Sequence, residues 1–440
     1  DSDVACRTYF DFSKEKGWLC AIEQCNGSGD CRKSYAFGGT MCPSFRATRE
    51  ESHTTRARAN TLRELITHPR TKKIYDQREI LEVLDTCVSC KACKSECPSN
   101  VDIARFKAEF LQQHYDVCGV PMKAFLIARL TEIQRLGTIL PWFYNAIVRN
   151  RMTGNMLKRI LHFAPKRTIP TLYKTTLKHW LGRYRRKNRG ETVGKVFLFA
   201  DEFTNYMDVE IGIKMIELLD WLGYEVIIPK HVESGRTAIS KGMLEVAKGV
   251  ARKNVLLLKD LVTENIPLVG IEPSCILSFR DEYPDLVGED LKEEAVRLGK
   301  NCLLYDEFFT REIRAGRIQA EQFTDQPLKI MLHGHCHQKS LASVEPSREM
   351  LSLPVNYSVE VIPSGCCGMA GAFGYEKKHY ELSMKIGEQV LFPAVRGAGE
   401  NVCISAPGTS CRQQIKDGTG KQALHPIEVL YEALKCTKEK

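Results

Sequence analysis

From Lys195 onward, short apolar runs alternate with stretches whose apolar positions recur at helical spacing, the pattern of a parallel sheet flanked by helices. Val196 to Ala200, Tyr224 to Pro229, Pro267 to Glu272, Lys329 to His333, Val359 to Pro363 and Val402 to Ala406 read as strands. They fall into two sets. Lys195-Val-Phe-Leu aligns with Lys329-Ile-Met-Leu, Glu233-Ser-Gly235 with Cys366-Cys-Gly368, and Pro273-Ser-Cys275 with Thr409-Ser-Cys411. The offsets are 134, 133 and 136 residues, regular enough to mark an internal repeat with its break near Ala315 to Pro327. Upstream the periodicity is helical: Val101 to Asp116, then Met122 to Val148 broken at Pro141, then Lys- and Arg-rich turns through Arg183-Tyr-Arg-Arg-Lys187.

The layout is α+β overall. A helical, cysteine-rich unit covers 1–120, a basic helical linker 121–194, and two α/β units with parallel sheets cover 195–320 and 328–440. A chain of 440 residues has length for about three domains, and 43% hydrophobic with 27% charged residues is ordinary for a globular protein,. The longest apolar stretches are strand-sized, short of the ~18 to 20 residues of a spanning helix. The first residue is Asp1 rather than Met, as in a processed chain or the back half of a longer one.

Charge changes this picture in one place. Residues 98–190 hold 18 Lys and Arg against 4 Asp and Glu, so the net +9 divides into +14 there and −5 elsewhere. A solvated helical face accounts for such a zone. The alternative is a docking surface for an anionic membrane or an acidic redox partner, with Trp142, Phe143 and Tyr144 as interfacial anchors,. No recognition motif accompanies the charge, which disfavours nucleic acid.

The cysteines carry the chemistry. Cys87-Val-Ser-Cys90-Lys-Ala-Cys93-Lys-Ser-Glu-Cys97-Pro98 has the C-x-x-C-x-x-C-x-x-x-C-P spacing of bacterial-type [4Fe-4S] ferredoxins, in which the fourth Cys serves the other cluster. The partner motif ends at Cys42-Pro43 and is irregular: Cys20, Cys25 and Cys31 precede it, and Ser28 stands where a regular run has a thiol. The simplest assignment gives one cluster Cys87, Cys90, Cys93 and Cys42. The other takes Cys25, Cys31 and Cys97, with its last corner open between Cys20, Ser28 and a [3Fe-4S] form,. Structural zinc is the plain alternative, although the run supplies more thiols than one zinc ion uses. Disulfides are disfavoured by length and by the lack of a signal peptide, so the expected compartment is reducing and cytoplasmic.

In the second repeat, Cys336, Cys366, Cys367 and Cys411 each follow a strand, and loops after the carboxyl ends of parallel strands share one edge,. Four converging thiols make a metal site. His333, His335 and His337 alternate with Cys336 and, if extended, point to one face as ligands, proton carriers or hydrogen-bonded histidines,. The first repeat keeps only Cys275 of the four positions and carries Glu202, Glu233 and Ser234 at the others. A hard-metal site of Asp201, Glu202 and Glu233 competes there with ordinary solvated carboxylates. Cys6, Cys118, Cys302, Cys403 and Cys436 fall outside every spacing and read as buried small hydrophobes,.

These motifs resemble those of iron-sulfur proteins with a ferredoxin-like front and two CCG domains behind. The family includes the iron-sulfur subunit of glycolate oxidase and the corresponding CCG-containing subunits of anaerobic glycerol-3-phosphate dehydrogenase and of heterodisulfide reductase. The nearest resemblance is to the carboxyl-terminal portion of bacterial FAD-linked D-2-hydroxyacid dehydrogenases of the D-2-hydroxyglutarate type. It rests on Cys25-Asn-Gly-Ser-Gly-Asp-Cys31-Arg-Lys33, Met41-Cys-Pro-Ser-Phe-Arg-Ala-Thr-Arg49, Arg56-Ala-Arg-Ala-Asn60, His333-Gly-His-Cys-His-Gln338 and Ser364-Gly-Cys-Cys-Gly-Met-Ala-Gly-Ala-Phe-Gly374. The resemblance implies that a flavoprotein oxidises a 2-hydroxy acid while this part carries electrons away singly to quinone, cytochrome or another acceptor. No Gly-rich dinucleotide fingerprint opens a helix here, so FAD is expected on a partner or a further segment. Arg46, Arg49, Arg56, Arg58 and Arg63 would raise cluster potentials, or simply line a solvated helix. Full CCG domains end in C-x-x-C, whereas here that pair is Gly408 and Cys411, which argues against a noncubane cluster. Two other functions compete: an independent heterodisulfide-reductase-like enzyme acting at Cys366 and Cys367, and a metal-binding structural protein.

Overall fold

In the computed structural model, which describes residues 7–69, 74–188 and 190–435, all six expected strands form and a seventh joins them. They are β1 (Gly194–Phe199), β2 (Tyr224–Ile227), β3 (Leu268–Gly270), β4 (Cys302–Leu304), β5 (Leu328–Leu332), β6 (Tyr357–Val361) and β7 (Val402–Ser405). β4 escaped the sequence pattern because three residues run straight into the helix Tyr305–Arg314. The sheets run β2-β1-β3-β4 and β6-β5-β7, all neighbours parallel. Both repeats thus place their first strand centrally, with the second and third on either side. In the second repeat the counterpart of β4 is a single parallel bridge between Ser405 and Leu424.

The repeats pack on each other reciprocally. The helix Tyr305–Arg314, which follows β4, lies on the helix Glu345–Leu351 of the second repeat, and the helix Pro426–Glu432 lies on the first repeat's helix Val209–Trp221. Met215, Ile216 and Leu219 enter one core with Ile330, Met350, Ile427 and Leu430. Each such buried side chain contributes about 1.5–3 kcal/mol.

The front unit is built from α1 (Trp18–Glu23), α2 (Pro43–Thr48), α3 (Thr55–Thr67), α4 (Arg78–Asp85), α5 (Ala92–Glu96) and α6 (Ile103–Cys118). Thr54 caps α3 by accepting from the Ala57 N–H, and Asp102 caps α6 by accepting from the Arg105 N–H,. Its core does not end at residue 120. Ala238, Ile239 and Leu244 of the first repeat, and Cys336, Cys366 and Phe373 of the second, complete it.

The basic segment forms α7 (Met122–Ala128), α8 (Leu130–Gly137), α9 (Pro141–Arg149), α10 (Arg151–Ile160) and, after a loop, α11 (Leu177–Arg183). The stretch expected to break only at Pro141 breaks also at Arg129, where φ is −103° and ψ is 30°. Arg167 pins the following loop to the second repeat through Gly374 O, Asp417 and Ser383 Oγ, each at 2.8 or 2.9 Å.

Candidate metal centres

In the loop leading into α5, Ser89 (φ 48°) and Lys91 (φ 64°) adopt left-handed conformations, an arrangement that non-glycine residues rarely take outside functional turns. Cys87 and Cys90 of this loop, Cys93 of α5 and Cys42, at the start of α2, line one common pocket. Arg58 of α3 lines it too, almost fully buried. Its Nη1 donates to Cys42 Sγ at 3.2 Å, its Nη2 to Ser44 Oγ and Thr86 Oγ1, and its Nε to Val83 O. Burial alone would lower the guanidinium's pKa; the surrounding thiols of Cys42, Cys87 and Cys93 reverse this and raise it. Lys107 Nζ donates to Cys87 O at 2.7 Å. Thiols gathered around buried cations are the donor set an iron-sulfur cluster needs.

The second front set lies nearer the surface. Cys31 is buried, its thiol pushed up by burial, and Cys25 and Cys42 are its electrostatic neighbours. Arg56 flanks both Cys31 and Cys25. Cys97 is buried at the end of α5. Neither candidate for the open corner faces inward: Cys20 is exposed on the solvent side of α1, and Ser28 is exposed in a turn between Gly27 and Gly29, bonding Asp30. Of the arginines singled out in the sequence, Arg58 alone reaches a thiol through its guanidinium among the described residues, while the backbone N–H of Arg56 bonds Cys31. Arg46 holds Gly38 O and Gly39 O, Arg56 pairs with Glu51, and Arg49 and Arg63 are exposed.

At the carboxyl edge of the second sheet the four thiols of Cys336, Cys366, Cys367 and Cys411 converge, all buried. Hydrogen bonds link Cys336 to Cys366, Cys366 to Cys367 and Cys367 to Cys411. A ring nitrogen of His333 and the sulfurs of Cys367 and Cys411 lie within 4.8 Å of one another. His333 Nδ1 bonds Ser364 Oγ at 2.7 Å, and burial lowers its pKa to about 4. The histidines do not alternate along a strand as expected, because Cys336 opens the helix Cys336–Leu341. His335 caps that helix, with Nδ1 accepting from the His337 N–H at 3.2 Å. His337 turns away from the thiols toward the front unit, its Nε2 3.0 Å from Ser89 O. Beside it, Ser340 Oγ donates to Cys90 O at 3.2 Å. These bonds join the front motif directly to the helix carrying Cys336, and Cys336 is a leading electrostatic neighbour of Cys90.

Position 408 tests a noncubane cluster against the residues present. A Cβ on Gly408 would lie 2.5 Å from His335 Cδ2 and 3.2 Å from Cys411 Sγ. The imidazole occupies the space a second thiol of C-x-x-C would need. The residues present do not fit that cluster.

In the first repeat the metal-like group is Asp201, Glu202 and Cys275, with Glu233 outside it. Its carboxylates are buried rather than solvated: Asp201 accepts from the Phe203 and Thr204 N–H groups, and Glu202 from Ser234 N–H and Oγ. This pocket is filled by its own hydrogen bonds. Burial and the neighbouring Glu202 raise Asp201 to about 8. Glu272, the counterpart of Gly408, reaches across to accept from the Thr409 N–H at 2.9 Å. Among the leftover cysteines, Cys302 is buried in β4, Cys403 is half-buried, and Cys118 is exposed at the end of α6, contrary to expectation. Cys6 and Cys436 lie outside the described residues.

The helical front precedes two tandem α/β units, and residues 24–102, within that front, match the family model of the 4Fe-4S dicluster domain. Over 95% of its length the chain is 26% identical to D-2-hydroxyglutarate dehydrogenase of Escherichia coli K12. It is 26% identical over 77% of its length to a subunit of the anaerobic glycerol-3-phosphate dehydrogenase of the same organism, and the match takes in 83% of that protein. Lactate utilization protein A of Bacillus subtilis is 27% identical across 54% of the chain. The chain spans 44% of the D-2-hydroxyglutarate dehydrogenase. These relations bear out the resemblance read from the motifs, to an iron-sulfur portion or subunit of such oxidoreductases. Among the described residues no helix is long and apolar enough to cross a membrane.

Proposed function

We propose that this chain is the electron-transfer module of a FAD-linked 2-hydroxyacid dehydrogenase of the D-2-hydroxyglutarate, D-lactate or glycolate class. The flavin would sit on a partner or a further segment, and quinone or another carrier would accept the electrons. The observation that carries this reading is the direct seat of the Cys87–Cys97 loop on the helix of Cys336, through His337 and Ser340. Cys42, Cys87, Cys90 and Cys93 would hold one cluster, and Cys25, Cys31 and Cys97 the other. When bound, such clusters supply one-electron carriers between a two-electron flavin and its acceptor. The protein's own part is to exclude water from the thiols, hold the loops at fixed separation and place Arg58 and Lys107 as countercharges. In the second repeat, Cys336, Cys366, Cys367, Cys411 and His333 would form a further centre of fewer irons or another metal.

Mixing the iron- and sulfide-reconstituted chain with a candidate flavoprotein and its 2-hydroxy acid tests the proposal. Visible absorbance should bleach only when the flavoprotein is present. Purified protein that holds zinc and no sulfide would sink it.

A second reading draws on a shallow crevice lined by Thr40, Arg46, Ser364, Gly365 and Cys366. The crevice would give a thiol or disulfide substrate a surface approach toward Cys366, one of the paired thiols. Disulfide turnover by this chain alone, abolished by Cys366→Ser with the front clusters still reducible, would favour it over the module.

A further inference from the structure

The helices α8 and α10 are amphipathic the wrong way round for a free surface, and α9, which buries Val148, still turns Trp142 and Phe143 outward. The buried side chain of α8 is Gln134 and the buried position of α10 is Gly154, whereas Leu136 is 68% exposed, Ile139 73%, Trp142 69% and Met152 84%. Met152, Met156 and Ile160 recur every four residues, so they form one outward stripe along α10,. Phe143 extends the apolar surface on α9, while Tyr144 turns inward against Gly137. Exposed patches of this extent on a folded chain mark interaction surfaces.

Charge selects the occupant. Between residues 121 and 160 there are seven Lys and Arg and one acidic residue, Glu132. Arg129, Arg135, Arg149, Arg151 and Arg159 are exposed, and no carboxylate lies within ion-pair distance of them among the described residues. A second copy of the chain would bring an equally basic face against this one, which like-charge repulsion opposes. A bilayer bearing anionic headgroups meets both features: it accepts Trp, Phe and Met side chains at its interface and attracts the exposed arginines. We infer that α8 to α10 form a peripheral docking face for an anionic lipid bilayer, lying in its interface without spanning it.

The experiment uses the whole cluster-loaded protein with phosphatidylglycerol/phosphatidylcholine vesicles and with pure phosphatidylcholine vesicles, in cosedimentation. Binding to the anionic vesicles should exceed binding to neutral ones by roughly tenfold or more and fall steeply with salt. Trp142→Ala with Phe143→Ala, and separately Arg149→Glu with Arg151→Glu, should each weaken it while cluster absorbance and melting temperature stay unchanged. Brominated lipid should quench wild-type tryptophan fluorescence, and Trp142→Phe should remove that quenching. Equal binding to neutral vesicles, insensitivity to both double variants, or self-association abolished by the Trp142 and Phe143 changes would overturn the inference. None of these readouts requires electron transfer, so the face stands or falls apart from the proposed module.

Discussion

Arg58 shows how much one side chain in this molecule is asked to do. The sequence places it in a run of arginines that equally fits a solvated helix, and nothing in that run distinguishes it from Arg56 or Arg63. In the fold it is the one whose guanidinium enters the thiol cavity and bonds Cys42. A fixed positive charge there favours the reduced, more negative form of whatever the thiols bind. Arg58→Met is therefore expected to lower the midpoint potential of the front centre by tens of millivolts in an EPR-monitored titration; an unchanged potential would remove the arginine from this role. Asp201 carries a different consequence. Its carboxyl, ordinarily titrating near 3.8, is raised to about 8 by burial and by Glu202. Between those values the folded chain holds a proton the unfolded chain has released, so stability falls as pH rises across the window, by up to about 1.4 kcal/mol per pH unit. Urea unfolding from pH 5 to 8 should show this slope reduced in Asp201→Asn. Part of it persists through Asp306, which burial raises to about 7.

Among the elements, the helix Cys336–Leu341 decides most. Three histidines and a cysteine in alternation read as a strand end, and β5 does run to Leu332. The helix begins four residues later because His335 serves as its cap, which sends His337 to the front unit, leaves His333 grouped with Cys367 and Cys411, and sets the His335 ring beside Cys336 and Cys411. Spacing could not reveal this, since the cap depends on an imidazole finding a backbone N–H. The same ring bears on position 408. Gly408→Ala should force His335 to shift, destabilising the chain by about 1–3 kcal/mol and loosening the centre at Cys411. A urea midpoint and metal content equal to those of the wild type would show that the ring has room to move.

At the scale of the whole molecule, the front unit and the two repeats are joined by buried charge as well as by apolar contact. Lys91, from the cluster loop, is 3% exposed and lies against Asp281 and Glu282 of the first repeat, with Asp102 of α6 at 3.7 Å. Arg236 shares Glu282, and Lys94 shares Asp281. Burial works against these charges, and Lys91 and Lys94 hold Asp281 below the usual carboxylate range nonetheless. Removing one member leaves the others buried and uncompensated, so Lys91→Met is expected to destabilise the protein by about 3–5 kcal/mol. Denaturant unfolding monitored by cluster absorbance and by far-UV signal should then show both transitions moving together. A loss confined to the cluster signal would mean that the units unfold separately.

The sequence by itself determined the local and periodic features: six of the seven strands, the duplication, the spacing of the Cys87–Cys97 run and the basic zone. Each is written in the order of residues along a few turns or strands, where propensity and ligand spacing act directly. Only the tertiary structure decided which distant groups meet. Cys42 lines the same pocket as Cys87, Cys90 and Cys93, Glu272 of one repeat caps a helix of the other, and Ser89 lies against His337, 248 residues on. It also decided that the carboxylates at Asp201 and Glu202 are sealed inside, that Cys20 and Ser28 face out, and that Leu136, Trp142, Phe143, Met152 and Met156 of α8 to α10 turn to the exterior. These outcomes depend on how helices and sheets pack against one another, and a single chain's pattern records the faces but not their partners.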